Sequence, residues 1–410
     1  MTAITATRSP ATPSQSPRAR LRAFAHVHRS TTIVASMAIV TIAMIFLPQV
    51  PPLSWILRQN AWFDTFANAG VFILLAMGLN VVVGLAGLLD LGYAAFFAIG
   101  SYTYAYSNSP FSHTDLPFLP MLAVGAAIAA VFGIALGAPT LRLRGDYLAI
   151  MTLGFGEIVP IVFLNLDKWT EGTNGIGGIY RPEPLPLIGE FTALSPFAYF
   201  ILAVGIVTIA MILLYRMQDS RIGRAWNAIR EDELAAAANG INTVTTKLLA
   251  FAIGATTAGF AGVFNASKLT IVSPEQFLFA VSFIVLAMVI LGGMGNIWGV
   301  AAGAFIVYLI QVVVLKQLNS MVEGIGIPFL QTINFVDYQY LLFGLALVLM
   351  MLFRPEGLFP SQRRRRELHI ADEMAGPIEE PGVIGAMGES PGSAEDFGEA
   401  AGEDVPGHDR

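Results

Sequence analysis

Residues 216–247, RMQDSRIGRAWNAIREDELAAAANGINTVTTK, form a charged island between two long apolar runs. The runs on either side, about 196–215 and 248–267, each hold about 20 residues, enough for a helix rising about 1.5 Å per residue to cross a hydrocarbon core roughly 30 Å thick. The island is therefore an extramembrane loop between two crossings. Inside it, Ile222, Ala225, Trp226 and Ile229 recur at the spacing of one helical face, while Arg221, Arg224 and Arg230 take other faces. That pattern predicts a short amphipathic helix. A second is expected to begin at Glu231, Asp232 and Glu233, run through the alanines and stop at Gly240, since acids suit a helix N-terminus and Gly its C-terminal end. Two short helices at a membrane surface make a rigid protrusion suited to a soluble partner; the plainer reading is a solvated loop resting on headgroups.

The rest of the chain agrees with this membrane setting. Of 410 residues, 55% are hydrophobic and 13% charged, and the mean hydropathy is +0.65, outside the range of soluble domains. The fold class expected is an all-α polytopic membrane protein surrounded by lipid. Ten transmembrane or re-entrant helices fit, at about 31–47, 63–83, 87–107, 118–138, 147–165, 196–215, 248–267, 277–293, 297–315 and 337–353, with 87–107 either crossing or re-entrant. The first lacks a small-residue cleavage site and should stay as an anchor. Lys and Arg are retained on the cytoplasmic side. With the N-terminus inside, cytoplasmic segments hold 18 of the 23 basic residues and the outer loops hold 5, namely Arg58, Lys168, Arg181, Lys268 and Lys316. Both termini and the island are thus expected in the cytoplasm.

Three parts follow: a disordered basic N-terminus at 1–30, a transmembrane domain at 31–353 containing the island, and a cytoplasmic tail at 354–410. From residue 367 the tail carries twelve acids and one Arg. Rich in Gly, Pro and Glu, it reads as disordered. The longest outer loop, 166–195, contains TEGTNGIGGIYRPEPLP, whose Gly and Pro predict ordered turns; it is either a docking surface for an extracytoplasmic protein or a connection.

Several chemistries are excluded or unsupported. The chain has no cysteine, so no disulfide and no thiolate site exists. His26, His28, His113, His369 and His408 have no metal-ligand spacing within an apolar segment, and no metal is expected. No G-x-x-x-x-G-K-[ST], H-E-x-x-H or G-x-S-x-G occurs. The chain is not expected to be an enzyme or to bind nucleic acid or a cofactor of its own.

An ionisable or polar residue inside a span is costly and marks a candidate functional position. Glu157 falls near the middle of 147–165, Asp90 near the entry of 87–107 with Tyr93 three residues on, and Asn80 in 63–83. These are candidates for a polar path taken by a small zwitterion; helix pairing by Glu157 and helix capping by Asp90 are the competing readings. Gly133 with Gly137 and Gly299 with Gly303 have the spacing of close helix packing. The clusters at 84–87, 154–156 and 292–295 predict broken helices, which suit a conduit.

The stretches GLNVVVGLAGLLDLGYAAFFAIGSYTYA, LRLRGDYLAIMTLGFGEI, GRAWNAIREDELAAAANGI, VILGGMGNIWG and FRPEGLFP, in this order, resemble the LivM-type permease subunits of bacterial ABC importers for branched-chain amino acids. The resemblance covers about 60–360. It implies a multi-pass protein of the bacterial inner membrane, paired with a homologous second permease, two cytoplasmic ATPases that use ATP, and an extracytoplasmic substrate-binding protein. It also implies that the island is the ATPase-coupling loop, whose family pattern is E-A-A-x-x-x-G. Here Gly240 matches, Ala235 and Ala236 stand at the alanine positions, and Leu234 replaces the Glu, with Glu233 one residue earlier. The coupling set implied is Arg221, Gly223, Arg224, Trp226, Ile229, Arg230, Glu231, Asp232, Glu233, Ala235, Ala236 and Gly240, with Arg224, Trp226, Arg230 and Glu231 expected at the contact. A urea or short-amide importer shares these motifs and stays open as an alternative. A proton-coupled secondary transporter using Glu157 or Asp90 is the reading from a different class.

Overall fold

The computed structural model describes residues 29–49, 59–140, 145–186, 189–192, 195–325, 338–354 and 356–360. The basic N-terminus, Arg142, Arg144 and the acidic tail lie outside them. Where no water can reach, a backbone must satisfy its own hydrogen bonds, and helices do so within one segment. The apolar runs accordingly form α1 (Arg29–Phe46), α2 (Gln59–Leu79), α3 (Ala94–Ser107), α4 (Phe118–Thr140), α5 (Asp146–Asn165), the one-turn α6 (Asp167–Thr170) and α7 (Pro196–Gln218). The island gives α8 (Arg221–Glu231) and α9 (Glu233–Ala238). Then come α10 (Thr243–Leu269), α11 (Phe279–Gly292), α12 (Ile297–Leu309), α13 (Leu315–Ile325) and α14 (Gln339–Phe353). Seven helical stretches among the described residues are long and apolar enough to cross a membrane, and α1 and α14 are shorter apolar helices. The chain is an all-α polytopic membrane protein.

The core is built around α10, which packs on α4, α3 and α2. Helices in lipid gain nothing from expelling water, so close approach through small residues holds them together. A Cβ at Gly259 would stand 2.8 Å from the Ala126 Cα, and one at Gly262 only 2.5 Å from the Phe97 carbonyl oxygen. Glycines of the predicted packing pairs do this work: a Cβ at Gly133 would stand 2.7 Å from the Ala255 Cβ, and one at Gly303 2.3 Å from the Gly292 Cα.

The segment predicted at 87–107 is unwound over its first third, 87–93. After Leu79 the helix widens to a π-helix over Asn80–Leu85, 86–93 carries no helix, and α3 adds only 14 residues, about 21 Å of rise. Gly92 explains part of the break, since a Cβ there would sit 2.0 Å from the Thr152 carbonyl oxygen. The glycine cluster at 292–295 also breaks a helix, at the α11 to α12 turn, with Gly293 at φ +110 and Gly295 at φ +81. The cluster at 154–156 does not, because α5 runs straight through it. Instead a Cβ at Gly156 would come 2.8 Å from the Gly92 Cα, so this glycine admits the unwound backbone, and Gly154 faces open space.

Loop 166–195 is ordered where it is described. Its strand β1 (Ile176–Gly177) pairs antiparallel with β2 (Ile271–Val272), in register Ile176 to Val272, and both of those side chains are buried. Nearby, Lys268 at the end of α10 is paired with Asp64 at 2.8 Å and donates to the Asn68 Oδ1 at 2.5 Å, clasping α10 to α2.

Candidate functional site

The island folds from its own caps. The Ser220 hydroxyl accepts from the Gly223 amide at 3.4 Å to start α8. Asp232 starts α9 by accepting from the Leu234 and Ala235 amides at 2.8 and 3.0 Å, as an N-cap acid should. Gly240, at φ +83, ends it with the Ile241 amide donating to the Ala236 carbonyl at 3.1 Å, a left-handed C-terminal stop.

Trp226 is fully buried and its Nε1 donates to the Thr246 carbonyl at 2.8 Å. This corrects the expectation that its ring meets a partner: the ring anchors α8 to α10. Ile229 and Ala236 are buried with it. Gly223 is needed because a Cβ there would stand 2.2 Å from the Gln218 carbonyl oxygen. Ile222, expected on the same apolar face, is instead 37% exposed. Arg221, Arg224, Glu231, Asp232, Ala235 and Gly240 are exposed, with Arg224 donating to the Asp219 carbonyl at 3.0 Å. Leu234, in the place of the family's Glu, is 69% exposed, an apolar residue offered to solvent on a polar protrusion. Glu233 pairs with the buried Lys247 at 2.5 Å. Arg230 also turns inward, its Nη1 donating to the Gly84 carbonyl at 2.6 Å. So the Trp226 ring is turned away from solvent, Arg230 is half-buried, and Arg224 and Glu231 are exposed.

Three of the four polar positions meet at the break. Asn80 is buried; its Oδ1 accepts from the Gly295 amide at 2.8 Å and its Nδ2 has no partner among the described residues. Asp90 is buried, with Oδ1 accepting from the Gly92 amide at 3.0 Å and Oδ2 without a hydrogen-bond partner among the described residues. Asp90 therefore braces the unwound stretch and does not cap α3. Tyr93 donates to the Gly254 carbonyl at 2.7 Å and lies 3.1 Å from the Thr257 Oγ1. Asp90 and Tyr93 are not on one helical face, because the backbone between them is not helical.

Glu157 is elsewhere. On α5, Leu148, Ala149, Thr152, Gly156 and Pro160 are buried, whereas Tyr147, Ile150, Met151, Ile158 and Ile161 form an exposed stripe. Gly154 and Glu157 lie on that stripe. The Glu157 carboxylate has no partner among the described residues and stands near the middle of α5, eleven residues after Asp146 and eight before Asn165. A carboxylate facing lipid there costs about 3 kcal/mol on insertion scales.

Sequence reasoning missed the contacts that hold the breaks. The Thr152 hydroxyl accepts from the Leu91 amide at 3.0 Å and the Ser282 hydroxyl from the Ala94 amide at 2.9 Å. The FRPEGLFP stretch closes over the second break, with Leu358 donating to the Leu291 carbonyl at 2.8 Å and the Asn296 Nδ2 donating to the Phe359 carbonyl at 3.0 Å. The only signals for these were Ser, Thr and Asn within apolar runs.

The class defined by this geometry is a polytopic helical membrane protein with helices broken inside their apolar spans and a folded polar protrusion. The chain belongs to the family described as branched-chain amino acid transport system / permease component, whose profile matches residues 62–351. It is similar to the high-affinity branched-chain amino acid transport system permease protein LivM of Escherichia coli (strain K12), at 41% identity over 73% of this chain and 70% of that protein. The probable branched-chain amino acid transport permease protein LivM of Methanocaldococcus jannaschii is 28% identical over 69% of this chain and 84% of its own length. The Escherichia coli (strain K12) permease protein LivH is 24% identical over 72% of this chain and 93% of its own. No solved structure matches the chain.

Proposed function

We propose that the chain is one permease subunit of an ATP-driven importer for branched-chain amino acids in the bacterial inner membrane. It crosses the membrane ten times with both termini and the island in the cytoplasm. It pairs with a homologous second permease and couples to two cytoplasmic ATPases, which hydrolyse the ATP; an extracytoplasmic binding protein delivers the substrate. Family membership and relatives named for this transport support the substrate class. The island supports the ATPase contact: it is anchored from beneath by Trp226 and Lys247 and offers Arg221, Arg224, Glu231, Leu234 and Ala235 outward.

The observation that carries the path is Glu157. Its carboxylate, without a partner among the described residues on an exposed apolar stripe, is too costly for lipid and marks a face covered in the assembly. The α5 stripe therefore faces the second permease across the path, where the open face of Gly154 admits a neighbouring helix and Glu157 meets the ammonium group of a passing zwitterion. Asn80, Asp90 and Tyr93 shape the unwound backbone beside that path.

The test is uptake of labelled leucine into vesicles holding this chain, the second permease and the ATPases, with binding protein outside the substrate-facing leaflet. ATP-dependent leucine uptake that excess urea leaves unchanged is expected. Uptake that ignores ATP and follows a pH gradient would overturn the assignment.

A further inference from the structure

A helix that stops inside an apolar span leaves its last carbonyls without partners and presents the negative end of its dipole. At the end of the π-helical stretch after α2 that gap is filled by a cation from the island. Arg230 donates from Nη1 to the Gly84 carbonyl at 2.6 Å, and its side chain lies so close over Gly87 that a Cβ there would stand 2.7 Å from the Arg230 Cγ. Gly87 itself has φ +72, which favours glycine twice over, by conformation and by space.

From Gly84 the contacts continue inward. A Cβ on Gly84 would meet the Asn80 Oδ1 at 2.1 Å and the Gly295 amide nitrogen at 2.7 Å, and Asn80 is bonded to that same amide at 2.8 Å. The two helix breaks are thus joined through one asparagine, and Gly84 ties them to the island. On the other side of Arg230 is an open cavity of about 260 Å³ lined by Gly87, Leu88, Leu89, Asp146, Glu233 and Lys247 among others. Gly87 and Leu89 face this space, whereas Ala86 and Leu88 are buried.

We infer that Arg230 is a positioning residue that ties the island to the break in α2, so that displacement of α8 moves 84–93 and with it Asp90 and Tyr93. The tie is separate from the Trp226 anchor: Trp226 joins α8 to α10, a continuous helix, whereas Arg230 grips a segment whose backbone is held by wide turns, Ala86 to Val81 and Leu88 to Val82. A moving island would carry the first as a rigid body and would pull the second open or shut. This inference rests on the proposal that the island receives motion from ATPases.

The test uses the full importer in vesicles and exploits the absence of native cysteine. A Leu89→Cys reporter, at a position 38% exposed, is labelled by maleimide without nucleotide and after trapping with ATP and vanadate. With Arg230 intact, the labelling rate is expected to differ between the two states. With Arg230→Ala it should become nucleotide-independent, while leucine taken up per ATP hydrolysed falls about tenfold, the scale of one lost hydrogen bond to a charged group. Arg230→Lys, which keeps a cation able to donate to the same carbonyl, should restore both readouts in part. Arg230→Ala with nucleotide-dependent labelling and uptake per ATP within twofold of the parent would overturn the inference, as would a reporter that ignores nucleotide while the parent transports. Absence of ATP-dependent uptake in the parent would count against the importer assignment instead.

Discussion

Replacing Trp226 by Ala tests how the island is held. The side chain is 0% exposed and its Nε1 bonds to the Thr246 carbonyl at 2.8 Å. Truncating a buried Trp to Ala costs about 3 to 5 kcal/mol. A mid-range loss of about 4 kcal/mol corresponds to roughly a thousandfold change in an equilibrium. Contacts that still hold α8 include the Arg230 bond to Gly84, the burial of Ile229 and the Lys247 to Glu233 pair at the start of α9. At 11 residues, α8 is shorter than the roughly 12 to 15 residues at which an isolated helix becomes even marginal in water. The loss therefore falls on docking and helicity together. Hydrogen exchange of the chain in lipid nanodiscs reads this without any partner. Amides of 221–238 should lose protection by up to about a thousandfold in Trp226→Ala, those of 243–269 should be unchanged, and Trp226→Phe should lose only the hydrogen bond, about 1 kcal/mol. Protection of 221–238 within about tenfold of the parent in Trp226→Ala would refute the anchoring role.

Three more outcomes follow from the geometry. Glu157→Gln should insert and assemble normally yet raise the apparent KM for leucine about tenfold or more, as expected for a lost charge-assisted contact, read by uptake normalised to membrane abundance. Gly303→Ala, meeting backbone at 2.3 Å, should lower thermal stability in detergent by about 1 to 3 kcal/mol as overpacking does, whereas Gly154→Ala, with nothing within 4 Å, should leave the isolated subunit's melting unchanged. Asp232→Ala removes the cap of α9 and should cost about 1 kcal/mol, seen as faster exchange confined to 233–238.

The apolar runs and the island were legible in the sequence because both depend on local rules: run length, helical spacing, acids at a start and Gly240 at a stop. What escaped depends on tertiary partners. The spacing of Ile222, Ala225, Trp226 and Ile229 defines a helical face without saying which body it meets, so Trp226 read as a contact residue when it is an anchor. Gly84–Gly87 and Gly154–Gly156 look alike in sequence. The first breaks where Arg230 supplies a partner for the freed Gly84 carbonyl, and the second stays helical because its intrahelical bonds need no substitute. Glu157 was legible as costly, but its side of α5 is set by the packing of Thr152, Gly156 and Pro160 on the unwound stretch and its neighbours. The register at Leu234 was visible from the start, yet its exposure follows only from the way Asp232 caps α9.

The central claim is that this chain works as one permease of a larger ATP-driven assembly, and its most direct test is to identify what accompanies it. The tagged chain should be purified from its native membrane in mild detergent and the complex identified by mass spectrometry. The account predicts two ATPase chains and a second, homologous permease. A homo-oligomer free of ATPase, under conditions that keep a control importer intact, would contradict it.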